Sequence, residues 1–337
     1  MALSNKKHKI AVLGAGSWGT ALACLLANNQ HQVTLWSHSE HHLKDIQEDG
    51  VNMRYLPEFP LPDNLNFDSS IQSLCDSHQV FLIVVPSRAF GSVIQAMQSA
   101  GVSEDSLIIW GTKGFDSTNQ GLLSDVVATK LPNISQTGLI TGPSFAKEVM
   151  SKLPTALTAG ADNIDIANSI SSLFHNDYVR VYANTDFIGV QIGGALKNTL
   201  AVACGISDGL GFGANARSAL ITRGLHEIIK LGRKMGAQTE TFYGLSGLGD
   251  LVLTCTDDKS RNRRFGLGLG QGKSSGDIIE EIGQEIEAIN TSKEVMLLAE
   301  KLNVELPICE QVYNIIHHNL SPKEAVSALF SRSATTE

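Results

Sequence analysis

The sequence has no excess of basic residues. It carries 26 lysines and arginines against 34 acids, a formal net charge of −8 over 337 residues. That balance gives no support to non-specific nucleic-acid binding, although a local basic patch can still hold one phosphate. There is no C-x-x-C pair, and the five cysteines (Cys24, Cys75, Cys204, Cys255 and Cys309) are odd in number. A small disulfide scaffold is therefore excluded, and buried reduced thiols of a cytosolic protein are expected. The ten histidines show no H-E-x-x-H or other metal spacing, so no metal site is expected. Repeats, low-complexity tracts and long linkers are missing too. Only one stretch approaches the ~20 apolar residues of a membrane span.

That stretch follows Lys6, Lys7 and Lys9 and runs uncharged from Ile10 to Ala27. On charge alone it imitates a signal peptide. However, Gly14, Gly16 and Gly19 interrupt it, and its period changes from a short strand (10–13) to a helix (20–28). A folded strand–turn–helix is the reading preferred here.

What is present is an ordinary globular balance, with 42% hydrophobic and 18% charged residues and enough length for two domains of roughly 150 residues each. Short apolar runs at 9–13, 32–37, 80–85, 107–110, 138–141, 155–159 and 179–182 read as strands buried on both faces. Helical patterns separate most of them, which predicts a doubly wound α/β sheet. After about Phe187 strand-like runs almost vanish. Helices are expected near 188–208, 214–235, 261–270, 276–282, 291–302, 308–318 and 322–330. The last has a full start signal in Ser321-Pro322-Lys323-Glu324. The expected division is a dinucleotide-binding domain over 1–187 and a helical substrate domain over 188–332, with a frayed tail from Ser331.

Gly14-Ala15-Gly16-Ser17-Trp18-Gly19 directly follows a strand and opens a helix. The first glycine permits a tight turn. The second lets a pyrophosphate approach the backbone, and the third lets helix and strand pack closely. The helix start adds free N–H groups and a positive dipole end. In this context the pattern predicts dinucleotide binding. The second strand, however, ends in Ser37-His38-Ser39, with no acid before Glu40. These three side chains can donate to a 2′-phosphate, and no carboxylate repels it, so the cofactor tilts toward NADP(H). His38 is equally readable as a solvated surface residue.

Further along, Trp110-Gly111-Thr112-Lys113-Gly114 puts a lysine just past a strand's carboxyl end, where ligands of open α/β sheets sit. A surface lysine is the alternative. Gly142-Pro143-Ser144 makes a turn, and Ser144 can cap the next helix. Gly193 and Gly194 lie inside a long apolar helix, where close approach of a ligand or another helix would explain them. Lys197 in the same run is either paired or catalytic. Ser260 reads as an N-cap, which places Arg261 and Asn262 in a first helical turn suited to a phosphate. Three arginines there otherwise oppose the dipole.

Taken in order, GAGSWGTALA (14–23), WGTKG (110–114), ITGPSFAKEV (140–149), GGALKN (193–198), GLSGLGDLVLTCT (244–256) and SRNRRFG (260–266) resemble the bacterial-type, NAD(P)-dependent glycerol-3-phosphate dehydrogenases. The resemblance implies a Rossmann-type domain followed by an all-helical domain like that of 6-phosphogluconate dehydrogenase. It implies NADP(H) or NAD(H) as cofactor. The activity would be reversible reduction of dihydroxyacetone phosphate to glycerol 3-phosphate for phospholipid synthesis, in a cytoplasmic homodimer with no membrane partner.

Carried over residue by residue, Lys197 becomes the proton donor and acceptor, with Lys113 beside it if both face one cleft. Cofactor contacts fall on Gly14, Gly16, Ser17, Trp18, Gly19, His38, Tyr55, Lys113, Ala146, Arg261, Glu285 and Glu287. Gly142 and Ser144 are assigned to cofactor or substrate. Lys113, Lys197, Asn198, Asp250, Ser260, Arg261 and Asn262 are assigned to substrate. Two positions depart from the family pattern: His38 stands where arginine is usual, and Glu285 where an aliphatic residue is frequent. A lysine can protonate the carbonyl oxygen if desolvation and a neighbouring cation lower its pKa. Two other readings are a related β-hydroxyacid or sugar-acid dehydrogenase, which needs no phosphate-binding helix start, and a non-catalytic NADP sensor, which needs neither lysine.

Overall fold

The structure is a computed structural model and describes residues 7–118 and 120–331. Lys6, in the basic lead-in, and the tail beyond Ser331 lie outside the described residues. Two compact units divide the chain. One takes the residues through Asp116 together with Leu122–Phe187. The other takes Ser117–Gly121 and the residues from Ile188 onward.

The first unit alternates β1 (Lys9–Leu13), α1 (Ser17–Asn28), β2 (Gln32–Trp36), α2 (Glu40–Asp49), β3 (Leu65–Phe67), α3 (Ile71–Ser77), β4 (Val80–Ile83), α4 (Ser87–Ser99), β5 (Leu107–Trp110), α5 (Leu123–Lys130), β6 (Gln136–Thr141), α6 (Ala146–Met150), β7 (Thr155–Gly160), α7 (Ile164–Phe174) and β8 (Val179–Asn184). The eight strands form one sheet in the order β3-β2-β1-β4-β5-β6-β7-β8. All neighbours pair parallel except β6 and β7. Strand order reverses at β1, which lies between β2 and β4. The crevice outside the carboxyl ends of β1 and β4 is where such a sheet receives ligands.

The signal-like run becomes β1, its turn and α1. Its members Ile10, Val12, Leu22, Leu25 and Leu26 belong to the main hydrophobic cluster. The helix starts at Ser17, three residues earlier than its apolar pattern suggests, because the glycine turn ends sooner. The strand β3 carries no sequence signal: it is three residues long, and only Leu65 is buried.

The second unit is built of α8 (Phe187–Gly209), α9 (Gly213–Lys234), a 3₁₀ turn (Thr239–Tyr243), a π turn (Leu245–Gly249), α10 (Asp250–Thr256), α11 (Arg261–Gly270), α12 (Ser275–Ile282), α13 (Glu287–Leu302), α14 (Pro307–His318) and α15 (Pro322–Phe330). The sequence reading had no helix over 239–256, and it started α13 four residues late. Ser321 and Glu324 do form the expected reciprocal cap of α15. Among the described residues, α8 is the one helix long and apolar enough to cross a membrane, but 89% of its most apolar window is buried inside the protein. All five cysteines are buried free thiols, and burial pushes Cys24 up to about 12.

Candidate active site

In the sheet unit the glycine turn has little freedom at two of its three glycines. Gly14 has φ +130°, and a Cβ built there would lie 2.5 Å from the Val84 carbonyl oxygen. A Cβ on Gly19 would lie 1.8 Å from the Gly14 carbonyl oxygen. Gly16 is different, since a Cβ there would meet nothing within 4 Å. The backbone is thus bare and open where a pyrophosphate would approach the start of α1. The Trp18 indole Nε1 is buried without a hydrogen-bond partner among the described residues and would come 3.2 Å from a Cβ on Gly111. An open cradle and an orphaned buried donor beside it fit a dinucleotide.

The turn is braced from outside. The Ala15 carbonyl accepts from Asn52 Nδ2 at 3.0 Å, and His42 Nε2 lies 3.3 Å from the same oxygen. Asn52 Nδ2 also donates to Thr20 Oγ1 at 2.8 Å. The Tyr55 ring meets His42 edge-on at 5.8 Å. At the end of β2, Ser37 is buried and its Oγ accepts from Ser39 N. His38 is exposed, and Ser39 Oγ caps α2.

Lys113 Nζ and Ser144 Oγ both donate to the Gly142 carbonyl, at 3.4 and 3.0 Å, so three of the predicted residues converge on one oxygen. This bond also explains why the expected Ser144 cap does not form. The helix α6 starts at Ala146 behind Phe145 and has no side-chain cap.

In the helical unit, Lys197 is buried on α8. Its Nζ forms an ion pair with Asp250 Oδ1 and donates to Thr254 Oγ1 at 3.0 Å. Asp250 opens α10, and Thr254 lies one turn further along it, donating back to the Asp250 carbonyl at 2.7 Å. The sequence reading allows Lys113 as a neighbouring cation if both lysines face one cleft. Within this unit a carboxylate, that of Asp250, lies against the amine and balances its charge. Gly193 needs no ligand to explain it: a Cβ there would lie 2.3 Å from the Ser246 carbonyl oxygen of the π turn.

Ser260 caps α11 as expected, its Oγ accepting from Arg263 N at 3.2 Å. Of the three arginines, Arg263 is buried in ion pairs with Asp208 and Asp258, and its Nε donates to the Cys255 carbonyl. Arg264 is exposed and Arg261 half-buried. No carboxylate pairs with Arg261 among the described residues. Asn262 Oδ1 accepts from Ala288 N in the first turn of α13, and Asn198 Nδ2 donates to Glu287 Oε2 at 2.8 Å. The predicted Asn198, Asn262 and Glu287 therefore meet at the start of α13. Among the described residues no cluster of three or more metal-ligating side chains occurs.

Comparison with known proteins agrees with this geometry. The family described as NAD-dependent glycerol-3-phosphate dehydrogenase matches residues 9–167 with its N-terminal part and 186–327 with its C-terminal part. The chain belongs to this family.

A relative in Pseudoalteromonas translucida, glycerol-3-phosphate dehydrogenase [NAD(P)+], is 46% identical over 99% of this chain and 100% of its own length. One in Aeromonas hydrophila is 47% identical, covering 97% and 98%. The crystal structure of glycerol-3-phosphate dehydrogenase from Coxiella burnetii superposes with a TM-score of 0.92 at 46% identity, over 97% of this chain and 99% of that one. Like the rest of its family, the chain is an NAD(P)-dependent oxidoreductase. A sensor without catalysis is therefore set aside.

Sequence reasoning missed Thr254, Asn52, His42, Asp208 and Arg263. Thr254 alone had a local signal, since it lies one helical turn after Asp250. The others act across 37, 27 or 55 residues of chain and carry no local pattern. Tyr55 stands where the turn is braced, Ala146 opens α6, and Glu285 is half-buried two residues before Glu287, which starts α13.

Proposed function

We propose that this protein catalyses the reversible, NAD(P)H-dependent reduction of dihydroxyacetone phosphate to sn-glycerol 3-phosphate, in the cytoplasm and as a homodimer, supplying a glycerophospholipid precursor. The observation that carries the reading is the buried Lys197–Asp250–Thr254 arrangement in the wall of an apolar helix. A lysine placed there is costly unless it has a task or a partner, and here Asp250 balances its charge.

Bound NAD(P)H supplies the hydride. Gly14, Gly16, Ser17, Trp18 and Gly19 hold its pyrophosphate side, with His38 and Tyr55 toward the ribose end of β2. Lys113, Gly142, Ser144 and Ala146 line the strand ends beyond β5 and β6. In the helical unit, Arg261, Glu285 and Glu287 complete the set assigned to the cofactor.

Lys197 Nζ gives its proton to the carbonyl oxygen as the adjacent carbon is reduced, and takes it back in the reverse direction. Asp250 holds the amine in place and balances its charge. Thr254 Oγ1 accepts one Nζ–H, so the remaining N–H bonds are directed. Asn198, held by Glu287, and Asn262, held by Ala288, fix the neighbouring wall.

The phosphate binds at the α11 start. Free N–H groups, the dipole and the Arg261 fork converge there on one dianion, with Ser260 as cap. The remote phosphate supplies binding energy and orients the reacting carbon.

The test follows the loss of NADPH absorbance with dihydroxyacetone phosphate and with dihydroxyacetone. Arg261→Ala should cost about 2–4 kcal/mol in kcat/KM for the phosphorylated substrate and much less for the other. Arg261→Lys keeps the charge but loses the fork, and should be impaired less than Arg261→Ala. Equal losses on both substrates would remove Arg261 from phosphate recognition. Turnover of carboxylate substrates in place of dihydroxyacetone phosphate would replace this reading by the β-hydroxyacid one.

A further inference from the structure

The corner that must distinguish NADP(H) from NAD(H) lacks the usual acid after β2, yet it is not merely neutral. Arg54 stands on the segment that follows α2. Its guanidinium carbon lies 5.3 Å from the centre of the Tyr55 ring, over its face. The Tyr55 ring meets His42, on the first turn of α2, and His42 Nε2 reaches the Ala15 carbonyl inside the glycine turn. Two residues upstream of Arg54, Asn52 is anchored to the same carbonyl. Arg54 is thus tied, through two rings and one buried amide, to the turn that receives the pyrophosphate and to the helix start that follows β2.

The charges around it leave the guanidinium available. Arg54 is exposed and forms no ion pair among the described residues. Glu40, the first acid after β2, is engaged by Lys44 at 3.1 Å. Asp45 on the same helix is engaged by His41 at 3.1 Å, and Glu58 by Lys147 at 3.0 Å. The ribose 2′-position lies beyond the end of the second strand in such sheets. A cation held over an aromatic ring is already restricted, so it loses less freedom on meeting a phosphate.

Resting on the reading that this chain binds NAD(P)H, we propose that Arg54 is a specificity-determining residue whose guanidinium takes the 2′-phosphate of NADP(H), with Tyr55 as its platform. His38 alone then does not set the preference.

Calorimetry on the full chain tests this with NADPH, NADH, 2′,5′-ADP and 5′-ADP as titrants. Arg54→Ala should weaken NADPH and 2′,5′-ADP about tenfold or more, the scale of one charge-assisted hydrogen bond. NADH and 5′-ADP should be little changed. Arg54→Lys should fall between, and Tyr55→Leu should reproduce part of the loss for the 2′-phosphorylated ligands. Equal weakening of NADPH and NADH, or no change in either, overturns the proposal. Wild-type protein that binds neither dinucleotide would overturn the cofactor reading itself, an outcome distinct from a wild type that binds both while Arg54→Ala leaves their ratio untouched.

Discussion

Glycines serve opposite ends in the two units. In the turn after β1, Gly14 and Gly19 are filled by neighbouring backbone so that Gly16 can stay open to a ligand. In the helical unit Gly205 and Gly209 of α8 and Gly266 and Gly270 of α11 leave nothing open. A Cβ on Gly205 would lie 2.1 Å from the Arg263 carbonyl oxygen, and one on Gly266 2.1 Å from that of Val202. Gly209 and Gly270 repeat this one turn later, against the carbonyls of Leu267 and Ile206. The two helices therefore cross with backbone against backbone. With Gly193 pressed on Ser246, α8 is pinned on both sides of Lys197. The first set of glycines leaves a stretch of backbone open, and the second fixes where an amine stands. A reacting group has to be held within about 0.5 Å, and helices that touch through glycine do this better than a loop.

The sharpest way to separate the units is to remove the amine. Lys197→Ala should lower kcat by about 10²–10⁴-fold, the range of positioned acid–base catalysis. NADPH affinity, which the proposed function does not assign to Lys197, should change little. Near-normal turnover in a folded variant would remove Lys197 from the chemistry.

The glycines themselves give the next effect. Gly266→Ala forces a methyl group into the Val202 carbonyl, and a helix-to-helix contact of backbone has no side chain to move aside. It should destabilise by about 3 kcal/mol, the upper part of the overpacking range, read as a fall in urea midpoint. Gly16→Ala should cost less than about 1 kcal/mol in stability, since its Cβ meets open space, yet it should weaken dinucleotide binding measured directly. If Gly16→Ala unfolds the protein while Gly266→Ala does not, the contrast between the two sets is wrong.

The same contrast explains what the sequence made legible. The turn at Gly14–Gly19 is local: strand, glycines and helix follow within a dozen residues, so spacing alone reveals it. The caps at Ser260 and Ser321 are local too, and α11 and α15 begin where those signals place them. Gly193 was visible as an anomaly, but its partner Ser246 is remote, so ligand and helix could not be told apart. Residues 239–249 form 3₁₀ and π turns, which carry no 3.6-residue period to detect. Ser144 had a cap's chemistry but spent its hydroxyl on Gly142, a choice made by the geometry beside Lys113. The Lys197 site was half legible. The lysine stood out in its apolar run, while its carboxylate partner depended on where α10 packs.

The smallest effect probes a carboxylate that neither catalysis nor cofactor binding uses. Glu227 on α9 is buried, and it accepts from Ile308 N at 2.7 Å and Cys309 N at 3.1 Å, capping α14 from another helix. Burial pushes its pKa above the ordinary glutamate value, and the two N–H bonds and Lys230 only partly offset that. The folded state therefore binds more protons than the unfolded chain between the ordinary value and the raised one. Stability from this group is fully present below that window and is lost as pH rises through it. Glu227→Gln keeps one acceptor and cannot titrate. It should be less stable overall, because one N–H of α14 loses its oxygen. Its melting temperature should nonetheless fall less than that of wild type as pH rises from the ordinary glutamate value toward neutrality. The difference between the two curves isolates Glu227 from every other titrating group. Parallel curves would mean that the capping hydrogen bonds fully offset the burial, and that this cap carries no pH dependence.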